Sequence, residues 1–164
     1  MKKPEVIPSK IYTREGLVKQ VAIWRFLGKS ISFTNGCFDI LHSGHISSLS
    51  EAAREGDILI VGVNTDASTK RLKGEERPVN NEGSRALLLA SLAIVDAVTL
   101  FDEDTPFELI LALMPDVIVK GGDYTLDQMV GAKEVIANGG RVVINPIVAG
   151  YSTTGIIEKI RKLG

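Results

Sequence analysis

The sequence contains one cysteine, one tryptophan and two histidines in 164 residues, and aromatic residues make up only 5% of it. A single thiol excludes an internal disulfide, so no covalent staple can stand in for a hydrophobic core. Long apolar runs are also missing. The longest, such as Ile58 to Val63 and Ala86 to Ala90, fall far short of the roughly 20 residues that span a bilayer. No apolar h-region follows Met1-Lys2-Lys3-Pro4, so no secretory signal is read and a cytoplasmic protein is expected. Charge of one sign is absent too: 19 Lys plus Arg stand against 20 Asp plus Glu, a net charge of -1. No bulk field then draws nucleic acid or an anionic membrane, neither is expected as a partner, and any anion must be bound locally.

What is present is 45% hydrophobic content, enough for one domain over 1–164, with a helical lead at 1–29 and the main core at 30–164. Leu17, Val18, Val21, Ala22 and Phe26 share a helical face between Thr13 and Leu27, with Gly28 as a stop. Ile31 to Thr34 reads as a strand ended by Asn35-Gly36, two residues that tolerate positive φ. Ile46, Leu49, Ala52 and Ala53 line one face of a helix from Gly44 to Arg54, with Gly56 in the place of a C-terminal cap. Asp57 to Val63 is too continuously apolar for a half-exposed strand and suits one covered on both faces.

The alternation continues with helical patterns at Glu82–Leu92, Pro106–Leu113, Met129–Ala137 and Thr153–Leu163, and extended ones at Ala97–Phe101, Val117–Lys120 and Arg141–Asn145. About five strands interleaved with helices predict an α/β fold, a doubly wound, Rossmann-like, five-stranded parallel sheet with right-handed crossovers. Two stretches, Asn64–Asn81 and Gly121–Gln128, lack periodicity and follow strands. In such a sheet they converge with the Asn35–His45 turn on the ligand crevice.

That turn holds both histidines, His42 and His45. Gly36 lets backbone N–H groups approach a ligand, and Gly44 lets a helix start close against it, so the helix N-terminus favours an anion. Read from the residues alone, one imidazole could merely bond the backbone while the other is a solvated cap. Alternatively, Asp39, His42 and His45 could hold a metal.

Gly36-Cys37-Phe38-Asp39 followed by His42-Ser43-Gly44-His45 resembles the G-x-F-D and H-x-G-H motifs of the cytidylyltransferase-like nucleotidyltransferase superfamily. The resemblance implies that His42 and His45 contact nucleotide phosphates and stabilise the charge that develops as an acceptor phosphate attacks the α-phosphorus and pyrophosphate leaves. Such transfer needs positioning and aimed donors more than a covalent intermediate. Thr34, Asn35, Gly36, Cys37, Phe38 and Gly44 then border the nucleotide. The Cys37 thiol itself reads as a small hydrophobe rather than a nucleophile.

Three further segments fit the same frame. The basic run Ser68 to Pro78 is by default a solvated face, but on the crevice side it places Lys70, taken as catalytic, and Lys73 over phosphates. Arg85 resembles the arginine of the family's R-x-x-x-L stretch and so contacts the triphosphate by implication. Val119-Lys120-Gly121-Gly122-Asp123-Tyr124 is locally a turn, yet it matches the branch of the superfamily that makes ADP-heptose, which assigns Lys120, Gly121, Gly122 and Asp123 to the nucleotide. Ser152-Thr153-Thr154 reads as an N-cap worth about 1 kcal/mol and also resembles the family's closing S-T-T motif, whose hydroxyls and N–H groups grip phosphate.

Cytidylyltransferases usually carry an arginine shortly before S-T-T, where this chain has Ile147-Val148-Ala149-Gly150. Val63 to Ser68 and Gly131 to Val135 also resemble the heptose branch. The resemblance therefore implies an adenylyltransferase that joins AMP from ATP to D-glycero-D-manno-heptose 1-phosphate and releases pyrophosphate. Mg²⁺ arrives with ATP rather than in a protein site, and Asp39 and Asp66 face the acceptor. A separate sugar kinase supplies the sugar phosphate, and the chain forms a homodimer. The alternatives are a glycerol-phosphate cytidylyltransferase or an FAD synthetase of the same fold, a non-catalytic nucleotide-binding module, and a metal hydrolase. An NAD oxidoreductase is weaker, because no G-x-G-x-x-G follows the first strand.

Overall fold

The computed structural model describes residues 3–122, 125–146 and 150–163. Its strands are β1 (Ile11–Tyr12), β2 (Ile31–Gly36), β3 (Ile58–Asn64), β4 (Ala97–Phe101), β5 (Val117–Gly121) and β6 (Arg141–Asn145). Its helices are α1 (Arg14–Phe26), α2 (Ser43–Arg54), α3 (Asp66–Lys73), α4 (Glu82–Ala90), α5 (Phe107–Leu113), α6 (Ala132–Ala137) and α7 (Thr153–Arg161). The strands form one parallel sheet in the order β1-β4-β3-β2-β5-β6.

The sheet thus has six strands, not the five expected. The addition is β1, whose Ile11 and Tyr12 pair with Val98 and Thr99 at the edge, and two residues are too few to display a period. Its position means that the stretch before residue 30 is not simply a helical lead. Within it, Thr13 caps α1 by accepting from Gly16 N at 3.1 Å, Leu17 and Val21 are buried in the core, and Gly28 at φ 73 ends the element.

Alternate residues of each central strand enter two separate cores, which explains the continuous apolar run read at Ile58 to Val63. Ile60 joins Phe33, Ile118, Leu17, Leu109, Ile110 and Val135 beneath α1, α5 and α6. Leu59, Val61 and Val63 join Leu49, Ala52, Ala86, Leu89, Val117 and Val119 beneath α2 and α4. From β2 the chain steps outward through β3 to β4, then returns to the other side of β2 with β5. With one crossover hand, that reversal places the two helix sets on opposite faces. The carboxyl ends of β2 and β5 therefore border a topological switch point, where open α/β sheets bind ligands.

Local readings need three corrections. Asn35 and Gly36 do not break β2 with positive φ but extend it, paired with Gly62 and Val63; the left-handed residue is Phe38, at φ 48. Gly56 is not a left-handed cap, since α2 closes at Glu55 in the right-handed region. A Cβ at Gly56 would instead lie 2.9 Å from Ser32 N, so glycine is required by the approach of helix to strand. Finally, Asn64–Asn81 is not all loop. Thr65 accepts from Ser68 N at 3.1 Å and opens α3, whose only buried residues are the polar Ser68 and Thr69, leaving no apolar stripe to read.

Candidate active site

The site begins where β2 runs out. Phe38 turns its ring back over Gly36, where a Cβ would lie 3.1 Å from the ring. That turn delivers the chain to His42, which occupies the N-cap of α2 without capping it by its side chain. Its carbonyl instead accepts from His45 N at 2.9 Å and Ile46 N at 3.2 Å. The first turn of α2 consequently directs N–H groups and the positive end of the helix dipole outward.

The same geometry stacks the two imidazoles, with centroids 3.9 Å apart and planes inclined by 20°. Phe38 tilts against His45 at 5.4 Å, and Tyr151 lies parallel to His42 at 6.3 Å. Both Nδ1 atoms are buried without a hydrogen-bond partner among the described residues. Burial, then the neighbouring charge of His42, lowers the His45 pKa to about 4. At neutral pH, His45 is therefore an uncharged imidazole, suited to donating a hydrogen bond to a developing phosphoryl charge rather than to delivering a proton.

These residues border a cleft of about 660 Å³ at the switch point. Asn35, Gly36, Cys37, Phe38, Asp39, His42, Gly44 and His45 line it from the β2 end and α2. Lys120 and Gly121 line it from β5, and Ser152, Thr153 and Thr154 from the start of α7. The Lys120 ammonium donates to Asn35 Oδ1 at 3.2 Å. Burial, reinforced by the charge of Lys73, holds its pKa below the usual lysine range despite the opposing influence of Cys37. Ser152 accepts from Gly155 N at 2.9 Å, while Thr153 Oγ1 donates to Ile40 O at 3.4 Å and ties α7 to the motif turn.

Other expected residues are placed differently. Lys73 reaches the cleft, but Lys70 is exposed outside it, three residues back and about 4.5 Å along the helix axis. Thr34 and Gly122 are buried outside the lining, and Asp123 lies outside the described residues, as do Tyr124 and residues 147–149.

Arg85 is fully buried and also absent from the lining. Its guanidinium donates to Cys37 O at 2.5 Å, Asn80 O at 3.0 Å and Asp66 Oδ1 at 2.8 Å. Arg85 thus braces the motif turn from behind, and Asp66 faces Arg85 rather than the cleft. The Asp39 carboxylate accepts from Arg77 Nε at 2.7 Å, Val79 N at 2.8 Å and Asn80 N at 2.9 Å. Burial raises its pKa, but the Asn80, Val79 and Arg77 donors outweigh burial and hold it below the usual carboxylate range. No group of three or more His, Cys, Asp or Glu residues suited to a metal occurs among the described residues, and the Asp39–His42–His45 set weighed from the sequence is not assembled.

Tyr151, Arg77, Asn64 and Ser48 also line the cleft without having been singled out from the sequence. Tyr151 directly precedes the serine-threonine motif, and Arg77 belongs to the basic run, so position relative to those motifs was the available signal. Asn64 opens the aperiodic stretch expected at the crevice, whereas Ser48, inside α2, carries no such signal.

No helix among the described residues is long and apolar enough to cross a membrane. Residues 33–159 match the cytidylyltransferase-like family model. The chain is 53% identical over 158 residues to the bifunctional protein HldE of Mesorhizobium japonicum, covering 96% of this chain and 32% of that protein. With HldE of Hyphomonas neptunium it shares 55% identity over 145 residues, 88% of this chain and 30% of the other. It therefore spans about a third of the length of these curated relatives. A lipopolysaccharide core biosynthesis protein of Thermoplasma volcanium superposes with a TM-score of 0.60 at 35% identity, covering 74% of this chain and 98% of that one. A pantoate-beta-alanine ligase of Francisella tularensis shares the fold, with a TM-score of 0.57 at 17% identity over 88% of this chain and 69% of its own. The stacked histidines at the head of α2, the switch-point cleft and the match over residues 33–159 lead to one conclusion: the chain belongs to the cytidylyltransferase-like family of nucleotidyltransferases.

Proposed function

We propose that this chain transfers AMP from ATP to D-glycero-D-manno-heptose 1-phosphate, giving ADP-heptose and pyrophosphate. The observation that carries the reading is the stacked pair of His42 and His45, whose Nδ1 atoms lack a hydrogen-bond partner among the described residues, at the start of α2, where no side chain caps the helix. An oxygen of the sugar phosphate attacks the α-phosphorus of ATP, and the bond from that phosphorus to the bridging oxygen of the β-phosphate breaks. Neutral His45 and its partner His42 donate to phosphate oxygens as charge develops there, and the first N–H groups of α2 add donors fixed before reaction. Lys120 and Lys73 supply positive charge from the β5 end and from α3, while Ser152 to Thr154 hold the nucleotide from the start of α7. Mg²⁺ enters bound to the triphosphate as part of the substrate.

The heptose acceptor and the adenine base are supported by the resemblance of Lys120 to Gly122 and Val63 to Ser68 to the ADP-heptose branch, and by identity above 50% to two HldE proteins. Because the acceptor is already phosphorylated, a sugar kinase acts before this step. We place the reaction in the cytoplasm and expect a homodimer, which light scattering on the purified protein would test. Activity is tested by incubating the protein with ATP or CTP and a panel of heptose 1-phosphate, glycerol 3-phosphate and FMN while pyrophosphate is measured. Release with ATP and the heptose phosphate is expected. Consumption of CTP with ATP ignored would overturn the assignment.

A further inference from the structure

Arg77 stands on the segment 74–81 that joins α3 to α4. Its side chain is 17% exposed, it lines the cleft, and its Nε donates to the carboxylate of Asp39, which is 1% exposed. A guanidinium is a rigid plane with five donors, so fixing Nε on one edge fixes where the other N–H groups point. Those groups have no hydrogen-bond partner among the described residues.

Asp39 is itself immobilised. Val79 N and Asn80 N donate to its carboxylate at 2.8 Å and 2.9 Å, and Asn80 Nδ2 donates to its carbonyl at 2.7 Å. Asn80 O in turn accepts from the buried Arg85 at 3.0 Å. Earlier in the segment, Glu76 forms an exposed ion pair with Arg161 of α7 at 2.7 Å. The segment is thereby tied at one end to the motif turn and at the other to the helix that opens with Ser152 to Thr154. A buried carboxylate is costly to desolvate, and this one holds a cation whose unused donors border a cleft built for phosphates.

We propose that Arg77 grips a phosphate in the cleft and that Asp39 is the positioning residue that aims it. The ligand chemistry is a phosphate oxyanion, belonging either to the triphosphate or to the phosphorylated acceptor. The proposal rests on the nucleotidyl-transfer reading of the cleft but not on the identity of the acceptor. A purely structural staple between Asp39 and Arg77 is the competing account.

The test uses the full chain and the variants Arg77→Lys, Arg77→Gln, Asp39→Asn and Asp39→Asn/Arg77→Lys. Calorimetry gives Kd for pyrophosphate and for heptose 1-phosphate, steady-state assays give KM for each substrate, and thermal melts report the fold. Lysine keeps the charge beside Asp39 but has no fork with which to hold a carboxylate and a phosphate together, so Arg77→Lys retains the fold if Arg77→Gln does not. It should weaken one of the two ligands by about tenfold or more, the scale of one charge-assisted hydrogen bond, and the ligand affected identifies the source of the phosphate. Asp39→Asn should weaken the same ligand and add little in the Arg77→Lys background, because it acts through Arg77. Affinities within about twofold of wild type in Arg77→Lys would overturn the grip. An Asp39→Asn effect of full size in that background would overturn the positioning role. If wild type turns over none of the acceptors, the proposed function fails, whereas the pyrophosphate and sugar-phosphate affinities still decide Arg77.

Discussion

His42 and His45 stack with their ring centroids 3.9 Å apart, and neither Nδ1 has a partner among the described residues. Burial, and then the neighbouring charge of His42, keep the His45 ring uncharged at neutral pH. His45→Ala should lower kcat by roughly 10²-fold or more, the scale seen when a transition-state donor is removed. The fold should persist, because the ring lies at the cleft rather than in either core. Since the two rings form one unit, the His42→Ala/His45→Ala double variant should lose less than the product of the single losses. Pyrophosphate release in the four proteins checks both expectations, and unchanged kcat in folded His45→Ala would remove the histidine from the mechanism.

The same ring makes stability depend on pH. The His45 pKa is about 4 in the fold against an ordinary value of 6.5, so between those values the unfolded chain binds more protons than the folded one. Stability therefore rises with pH across that window, is fully present above about 6.5, and is lost as pH falls through about 4. Asp39 has its pKa held below 3.8; its contribution survives to near that value and disappears only in stronger acid. Thermal melts from pH 7 to 4.5 should show a decline in wild type that is shallower in His45→Gln. Parallel curves for the two proteins would contradict the burial argument.

Arg85 illustrates a limit of reading sequence. Its place in an R-x-x-x-L stretch suggested a triphosphate contact, but the side chain is fully buried and braces Cys37 O and Asn80 O. Arg85→Met should leave those carbonyls unsatisfied and Asp66 without its cation, a loss of about 3 kcal/mol or more. Chemical denaturation would measure it, and a loss below about 1 kcal/mol would show that the bracing is dispensable.

The burial of β3 on both faces was legible because its alternate residues enter two cores, which leaves the continuous apolar run Ile58 to Val63. The histidine turn was legible because its chemistry lies within eleven consecutive residues, Asn35 to His45. Strand β1 was not, having only Ile11 and Tyr12, nor was α3, which buries hydroxyls instead of an apolar stripe. The direction of a charged side chain was equally hidden. Arg77 and Lys70 belong to one basic run, yet only Arg77 lines the cleft, because Asp39, 38 residues earlier in the chain, captures it.

Gly44 and Gly56 bracket α2 and should separate activity from stability. At Gly44, inside the helix, alanine gains roughly 1 kcal/mol of helix propensity, but its Cβ would stand 3.0 Å from the His42 ring and 3.0 Å from Tyr151 Cβ. The His42 ring can rotate away and Tyr151 Cβ gives only with its backbone, but both stand at the cleft outside the two cores, so Gly44→Ala should melt near wild type while kcat/KM falls by about tenfold or more as His42 shifts from its stack. At Gly56 the Cβ would stand 2.9 Å from Ser32 N, a backbone atom in the paired strand β2. It can yield only by moving helix from sheet, at about 1–3 kcal/mol. Gly56→Ala should therefore melt early and retain kcat/KM once folded. Thermal melts and steady-state kinetics on both variants decide the matter, and a Gly44→Ala enzyme with wild-type kcat/KM would show that the spacing of His42 and Tyr151 is not critical to turnover.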